Sequence, residues 1–108
     1  VWKLNLYDAY GAKQRPRMGR SPLRDYGYTS SPLVHRDWLL VEVGSPRGTL
    51  VAFDKRTGKE AWASELTDEA GHTAGPVPMT VEGVPCVAVL TLRHLAVIRL
   101  DAGKAGKT

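Results

Sequence analysis

The sequence predicts an all-β fold made of short antiparallel strands, and three observations lead to this prediction. Short apolar runs are separated by turns rich in Gly, Pro and Asp, the pattern of strands joined by tight connections. No stretch has the 3.6-residue periodicity of a convincing amphipathic helix. The strand pattern also restarts, since Pro76 lies 44 positions after Pro32 and Asp101 lies 47 positions after Asp54. We therefore expect a repeat of roughly 40–50 residues in which each unit holds four strands.

Length and composition limit the classes of protein to consider. The 108 residues suffice for one small domain, and the formal net charge of +4 is too modest to indicate nucleic-acid binding by itself. Cys86 is the only cysteine, so it can form neither an intrachain disulfide nor a cysteine-based zinc site. Its apolar neighbours predict a small buried side chain. No apolar run reaches the roughly 20 residues of a membrane-spanning helix. The chain shows no secretory signal pattern and begins with Val inside an expected strand, so we expect a piece of a longer protein.

The first 28 residues are predicted to hold one strand and one long loop. Residues 1–6 alternate as a strand does, and their Trp and Leu occupy the same places as those of Ala61–Leu66. They are therefore expected to be the last strand of a preceding unit. Residues 7–28 show no strand or helix periodicity. They contain four tyrosines, and five basic residues are concentrated between positions 12 and 24. Loops of this length are uncommon in compact domains and are often functional.

Residues 29–66 are predicted to form a complete unit. The expected strands are Thr29–His35, Trp38–Val43, Thr49–Phe53 and Glu60–Leu66, joined by short turns. The second of these strands is nearly all apolar, which predicts that both of its faces are covered. Four consecutive strands with short connections form an antiparallel meander.

The turn between the last two of these strands is the most informative stretch. Asp54 can accept hydrogen bonds from the amides that follow it, and Thr57 can do the same more weakly. Gly58 can adopt the positive φ that a bulged hairpin needs. Trp62 then lies in the returning strand as a large apolar anchor. These residues predict a tight hairpin and an anchoring side chain rather than a reactive site.

Residues 73–104 are predicted to repeat the pattern without completing it. Strands are expected over Pro76–Thr80, Val84–Leu92 and Leu95–Leu100, followed by a turn that begins at Asp101. No further apolar run and no tryptophan follow, so the segment after Asp101 is expected to be a frayed end. A four-stranded repeat of this length has the size of a propeller blade. The chain is thus predicted to be one domain, residues 1–108, forming a partial β-propeller of about two four-stranded antiparallel blades.

The motif Ala52-x-Asp54-x-x-Thr57-Gly58-x-x-x-Trp62 resembles the repeat signature of quinoprotein-type β-propellers, the PQQ-like repeats. The resemblance covers about residues 29–104, with the strand around Trp2 as the tail of a preceding blade. In that family the tryptophan docks against a neighbouring blade, which implies the same role for Trp62. The second unit departs from the signature, because Arg99 stands where alanine is expected and the turn after Asp101 is altered.

The resemblance also implies that binding residues lie on the loops of one face, here residues 7–28, 44–48, 67–74 and 91–94. Arginines on these loops would give bidentate contacts to a carboxylate or phosphate, and tyrosines would give rigid contact area. The face is then either a site for an anionic ligand or protein partner, or a solvated surface. The candidate binding residues are Arg15, Arg17, Arg24, Tyr26, Tyr28, Arg47 and His72.

The resemblance implies two alternative functions. One is a non-catalytic scaffold that binds a protein partner or the remaining blades, or associates with itself, and needs no cofactor, as in the outer-membrane assembly branch of the family. The other is part of a quinone-dependent alcohol or sugar dehydrogenase, which would hold PQQ and calcium outside this segment or on the propeller axis. We prefer the scaffold, because no residue here matches the catalytic or calcium-binding positions of those enzymes. Nucleic-acid binding would need a preformed motif besides the basic residues, and none is present. An extracytoplasmic location, in the periplasm or cell envelope, also follows from the resemblance.

Overall fold

The structure is a computed structural model that describes residues 1–11, 30–70 and 75–108. Within these ranges the chain is mostly β, with two antiparallel sheets and one short helix. The elements are α1 (Leu6–Tyr10), β1 (Leu33–His35), β2 (Trp38–Ser45), β3 (Gly48–Asp54), β4 (Glu60–Ala63), β5 (Val77–Val81), β6 (Val84–Leu90) and β7 (Leu95–Arg99). Sheet 1 has the strand order β1-β2-β3-β4, and sheet 2 has the order β5-β6-β7. The all-β prediction is therefore confirmed at the level of two antiparallel sheets.

Sheet 1 is the meander that residues 29–66 predict. β1 and β2 are joined through Arg36 and Asp37, and Arg36 adopts a φ of 53°. β3 is buried along nearly its whole length, because both faces of sheet 1 are covered by other parts of the chain. Regular pairing of β4 ends at Ala63, three residues before the predicted end. The amide of Thr49 still donates to the carbonyl of Leu66 at 2.8 Å, so the segment stays beside β3.

The β3–β4 turn has the hydrogen bonds that its sequence predicts. Asp54 Oδ1 accepts from the amides of Arg56 at 2.8 Å and Thr57 at 3.0 Å. These bonds favour the carboxylate and lower the pKa of Asp54. Thr57 Oγ1 accepts from the amide of Lys59 at 3.3 Å, and Gly58 has a φ of 75°. The pairing of β3 with β4 shifts register beside this turn, so the hairpin carries the predicted bulge.

Sheet 2 is a regular three-stranded meander within the described residues. β5 and β6 pair without interruption and are joined by a two-residue turn in which Glu82 has a φ of 49°. β6 and β7 pair in continuous register from Cys86–Arg99 to Leu90–Leu95. The three strands lie where residues 73–104 predict them, within two residues at each end. Cys86 is 4% exposed, which confirms the prediction of a buried thiol.

The prediction of a strand over residues 1–6 is wrong. Residues 1–5 are irregular, and the five-residue helix α1 follows. Asn5 Oδ1 accepts hydrogen bonds from the amides of Tyr7 and Asp8, which caps the helix, and Gly11 ends it at a φ of 59°. Leu6 and Tyr10 are four residues apart, so the helix aims both at sheet 1. The cap and this spacing outweigh the alternation that suggested a strand. Residues 7–10 of the predicted loop are therefore helical, and residues 12–28 lie outside the described residues.

The segment after Asp101 is held in place rather than frayed. The amide of Gly106 donates to the carbonyl of Arg99 at 2.9 Å, and the amide of Arg99 donates to the carbonyl of Lys107 at 2.7 Å. The amide of Glu65 donates to the carbonyl of Gly106 at 3.0 Å. Residues 106–107 thus lie between β7 and the end of the β4 segment. Backbone pairing orders a stretch whose composition predicted fraying.

Three layers build the core. The first apolar cluster lies between the sheets and joins Leu40, Leu50 and Ala52 of sheet 1 to residues of sheet 2, with Trp62 packed against it. The members from sheet 2 and its C-terminal side are Val87, Val89, Ile98 and Leu100. A second cluster, formed by Tyr10, Val43, Val51 and Phe53, lies on the other face of sheet 1, where Trp2 and Leu6 cover it. The order of layers is therefore N-terminal segment, sheet 1 and sheet 2.

Candidate functional site

Arg47 is the one candidate binding residue that falls within the described residues. The other six, which the sequence predicted from the basic loop and the 67–74 connection, lie outside them; they are Arg15, Arg17, Arg24, Tyr26, Tyr28 and His72. The grouping of these residues around a common ligand therefore stays a prediction.

Arg47 takes part in a cluster that fixes the helix to sheet 1. Its Nη2 lies 3.3 Å from Glu60 Oε2, and its guanidinium lies 4.9 Å from the centre of the Tyr10 ring. The hydroxyl of Tyr10 donates to Glu60 Oε1 at 2.9 Å. Burial, together with this bond to a carboxylate, raises the pKa of Tyr10 to about 12. The Arg47 side chain is 58% exposed and could therefore contact a partner. Because it is paired with Glu60, such a partner would share the charge of Arg47 with that carboxylate.

The described parts of three predicted functional loops, 44–48, 67–74 and 91–94, meet at one end of the molecule. Ala70 forms a bridge with Thr91, and the amide of Leu92 donates to the carbonyl of Glu69 at 3.1 Å. The backbone of Ala70 crosses so close to Gly44 that a Cβ on Gly44 would collide with it. The predicted loop 44–48 is shorter in the structure, since Gly44 and Ser45 belong to β2 and Gly48 to β3. Residues 67–70 therefore tie the β2–β3 end of sheet 1 to the 91–94 turn of sheet 2.

Asp68 and His94 form a pair at this end that the sequence did not reveal. His94 Nδ1 lies 2.6 Å from Asp68 Oδ2, and Thr91 Oγ1 donates to the same oxygen at 2.9 Å. The contacts with His94 and Thr91 lower the pKa of Asp68. Thr91 Oγ1 also accepts from the amides of the turn at Arg93 and His94. The pair anchors one sheet's turn to the other sheet's connection. Its partners are 26 residues apart and meet only because the two sheets stack.

The motif tryptophan has a counterpart in Trp2, and each lies on a turn. Trp2 covers Gly58 so closely that a Cβ there would be 2.5 Å from Trp2 Cδ2, and Trp2 Nε1 donates to the carbonyl of Lys55 at 3.0 Å. Trp62 lies on the turn after Asp101, where a Cβ on Gly106 would be 3.2 Å from Trp62 Cε3. The chain thus repeats one packing arrangement in two places.

Six of the exposed large apolar residues among the described ranges lie on the outer face of sheet 2, which we call the open face. Residues opposite one another in antiparallel pairs project to the same side, so the pairs Val77–Ala88, Ala88–Val97 and Leu90–Leu95 place β5, β6 and β7 residues together. The large apolar side chains on this side are between 37% and 72% exposed, and Ala88 between them is partly buried. The open face comprises Val77, Met79, Val81, Leu90, Leu95 and Val97.

The open face has a sequence signal that the strand assignments did not use. Val77, Met79 and Val81 alternate with Pro78 and Thr80, so the apolar side of β5 was identifiable. The opposite side of sheet 2 carries Val87 and Ile98, which are fully buried against sheet 1. Within the described residues, sheet 2 therefore has an inner apolar side packed on sheet 1 and an outer apolar side that is exposed at the six residues of the open face. Contiguous exposed apolar patches of this kind mark binding surfaces.

The described residues contain no group of three or more His, Cys, Asp or Glu side chains placed to hold a metal ion. No helix among them is long and apolar enough to cross a membrane. Comparisons with protein-family models, with curated proteins and with solved structures found no match to this chain.

Proposed function

We propose that this chain is a non-catalytic scaffold segment of the PQQ-like propeller type, and that its open face binds a further apolar β-sheet. The observation that carries the proposal is the repetition of one interface. Sheet 1 packs on one face of sheet 2, and the N-terminal segment packs in the same way on the face of sheet 1 that is turned away from sheet 2. In this proposal the chain acts outside the cytoplasm, as the resemblance implies.

Residue equivalence between the units supports this. Asp54 and Asp101 begin the corresponding turns, and the residues just before them correspond by the same offset of 47. Val51 and Phe53 face the N-terminal segment, while their counterparts Ile98 and Leu100 face sheet 1. Each sheet thus turns the same side toward the layer that precedes it.

The other side of each sheet completes the comparison. Leu50 of β3 faces sheet 2 and is fully buried. Its counterpart Val97 belongs to the open face and is 37% exposed. The side of sheet 1 that receives the next sheet is therefore equivalent to the side of sheet 2 that is open. This equivalence supports another antiparallel sheet with an apolar face as the occupant.

The positions of the two tryptophans also support a series of layers in which each sheet packs on the next. Trp2, from the segment before sheet 1, lies on the turn of sheet 1, and Trp62 of sheet 1 lies on the turn of sheet 2. Both therefore join one layer to the next, which is the role that the resemblance to PQQ-like repeats implies for the motif tryptophan.

The test uses the isolated 108-residue chain, whose second copy supplies an apolar sheet. We expect reversible dimerisation in sedimentation equilibrium. Val77→Lys should weaken it at least about tenfold, because a lysine within an apolar interface leaves a desolvated charge. Val34→Lys is the matched control, since Val34 is 59% exposed and Val77 57% exposed, but Val34 lies on sheet 1. A chain that stays monomeric at every accessible concentration, or a dimer equally sensitive to both variants, would contradict the proposal.

A further inference from the structure

A cleft of about 530 Å³ opens where the two sheets meet, away from the open face. Its size lies within the range of small-molecule sites. Two tryptophans form part of its wall, with their rings inclined at 83° and their centres 5.4 Å apart. The lining residues that matter here are Arg36, Asp37, Trp38, Trp62, Leu100 and Ala105.

The apolar lining favours a flat ring as the ligand. Perpendicular aromatic rings offer both a face and an edge, and a third ring can pack against them in offset or edge-on geometry. Leu100, which is 4% exposed, and Ala105 add aliphatic surface to the same cleft. An aromatic ligand would therefore bury its ring on four side chains.

The charges at the cleft favour an anion. Asp37 is already paired with Arg56, whose Nη2 lies 3.7 Å from Asp37 Oδ1. Arg36 has no acidic partner within ion-pair distance among the described residues. Counting only the residues that the structure describes, the lining thus leaves the Arg36 guanidinium uncompensated, a group whose planar fork suits a carboxylate.

The turn geometry does not account for an arginine at this position. Arg36 opens the β1–β2 turn with a φ of 53°, and Glu82 opens the corresponding β5–β6 turn with a φ of 49°. The same backbone conformation therefore accepts a side chain of opposite charge. The charge of Arg36 is a feature of the cleft and not of the turn.

We propose that the cleft binds a small aromatic carboxylate, with its ring against Trp38 and Trp62 and its carboxylate on Arg36. This site is independent of the open face and of the scaffold function. The interface between sheets 1 and 2 would then bind a small molecule in addition to holding the two sheets together.

The test is a titration of the nitrogen-labelled chain with indoleacetate, followed by the indole N–H signals in a proton–nitrogen correlation spectrum. Trp38 and Trp62 should shift saturably, while Trp2, which lies on the other turn, serves as an internal reference and should not shift. Neutral indoleacetamide should bind about tenfold more weakly, because it lacks the charge-assisted contact with Arg36.

Two variants complete the experiment. Arg36→Gln should weaken indoleacetate about tenfold and leave indoleacetamide unchanged, whereas Arg93→Gln removes one charge at the other end of the molecule and should alter neither. Absence of a saturable shift, an equal shift at Trp2, or equal affinity for the acid and the amide would each overturn the proposal.

Discussion

Trp2 and Trp62 each pack on a turn, but only the indole N–H of Trp2 has a hydrogen-bond acceptor among the described residues. Trp2 covers Gly58, and its Nε1 donates to the carbonyl of Lys55 at 3.0 Å. Trp62 covers Gly106, but its Nε1 is buried and has no hydrogen-bond acceptor among the described residues. The first contact satisfies its polar group, and the second leaves a buried donor unpaired, which costs stability. The comparison shows that apolar packing alone can maintain the contact of a tryptophan with a turn.

The difference originates in one strand position. In the first turn Asp54 accepts from two amides of the turn, which shapes the backbone that presents the Lys55 carbonyl. In the second turn both oxygens of Asp101 are taken by Arg99, at 2.8 Å and 2.7 Å. Arg99 stands where the first unit has Ala52. A single arginine two residues before the aspartate therefore redirects the carboxylate away from its turn.

The largest effect is expected from removing the second tryptophan. Trp62→Ala should lower the free energy of unfolding by about 3 kcal/mol, at the low end for a Trp truncation because Trp62 is only partly buried. The side chain packs against the cluster that joins the two sheets, so both sheets should lose stability together. Denaturant unfolding followed by circular dichroism measures this. An unchanged midpoint would exclude Trp62 as the anchor between the sheets.

Glycine substitutions on the two turns separate backbone strain from the tryptophan contact. Gly58 and Gly103 have φ values of 75° and 77°, but Trp2 lies over Gly58 and nothing lies within 4 Å of a Cβ on Gly103. Each alanine should lose about 1–2 kcal/mol of unfolding free energy to the left-handed conformation. Gly58→Ala should lose a further 1–3 kcal/mol to the clash with Trp2. Equal losses in chemical denaturation would show that Trp2 does not hold its position on the turn in solution.

The strands and the first turn were predictable because their signals are local. Apolar runs set the strands, and Asp54, Thr57 and Gly58 set the turn through bonds to their own neighbours. The helix at Leu6–Tyr10 was missed because alternation in residues 1–6 is as regular as in the true strands. Its Asn5 cap and Gly11 end were nevertheless visible in the sequence. The Asp68–His94 pair was not predictable, since it depends on how the two sheets stack.

Replacing each indole by a phenyl ring tests the unpaired donor itself. Trp2→Phe loses the hydrogen bond to Lys55, which should cost about 1 kcal/mol beyond the loss of ring area. Trp62→Phe loses a donor that has no acceptor among the described residues, so it should cost only the ring area. The two variants should therefore differ by about 1 kcal/mol in unfolding free energy, with Trp2→Phe the less stable. The opposite order would show that Trp62 Nε1 has an acceptor in solution.

Acid should loosen the second turn through Glu65. This carboxylate accepts from the amide and hydroxyl of Thr108, at 2.9 Å and 2.7 Å, and lies 3.2 Å from Lys107 Nζ. These contacts, the amide of Thr108 first, lower the pKa of Glu65 from its usual 4.5 to about 2. Because the folded state prefers the ionised form, its contribution is complete above pH 4.5 and is lost as the pH falls toward 2.

The measurement is the amide signal of Thr108 and the indole signal of Trp62 across that pH range. Both should move together as Glu65 takes up its proton, because Thr108 bonds to the Glu65 carboxylate and Gly106, two residues before it, lies against Trp62. Glu65→Gln should remove the transition at Thr108, since a neutral amide has no proton to gain there. The carboxylate of Asp54 also has a lowered pKa, so the indole signal of Trp2 reports the first turn in the same titration. If Trp2 moved with Glu65 and Trp62 did not, the acid response would belong to the first turn, and the segment 106–108 would not support the contact of Trp62.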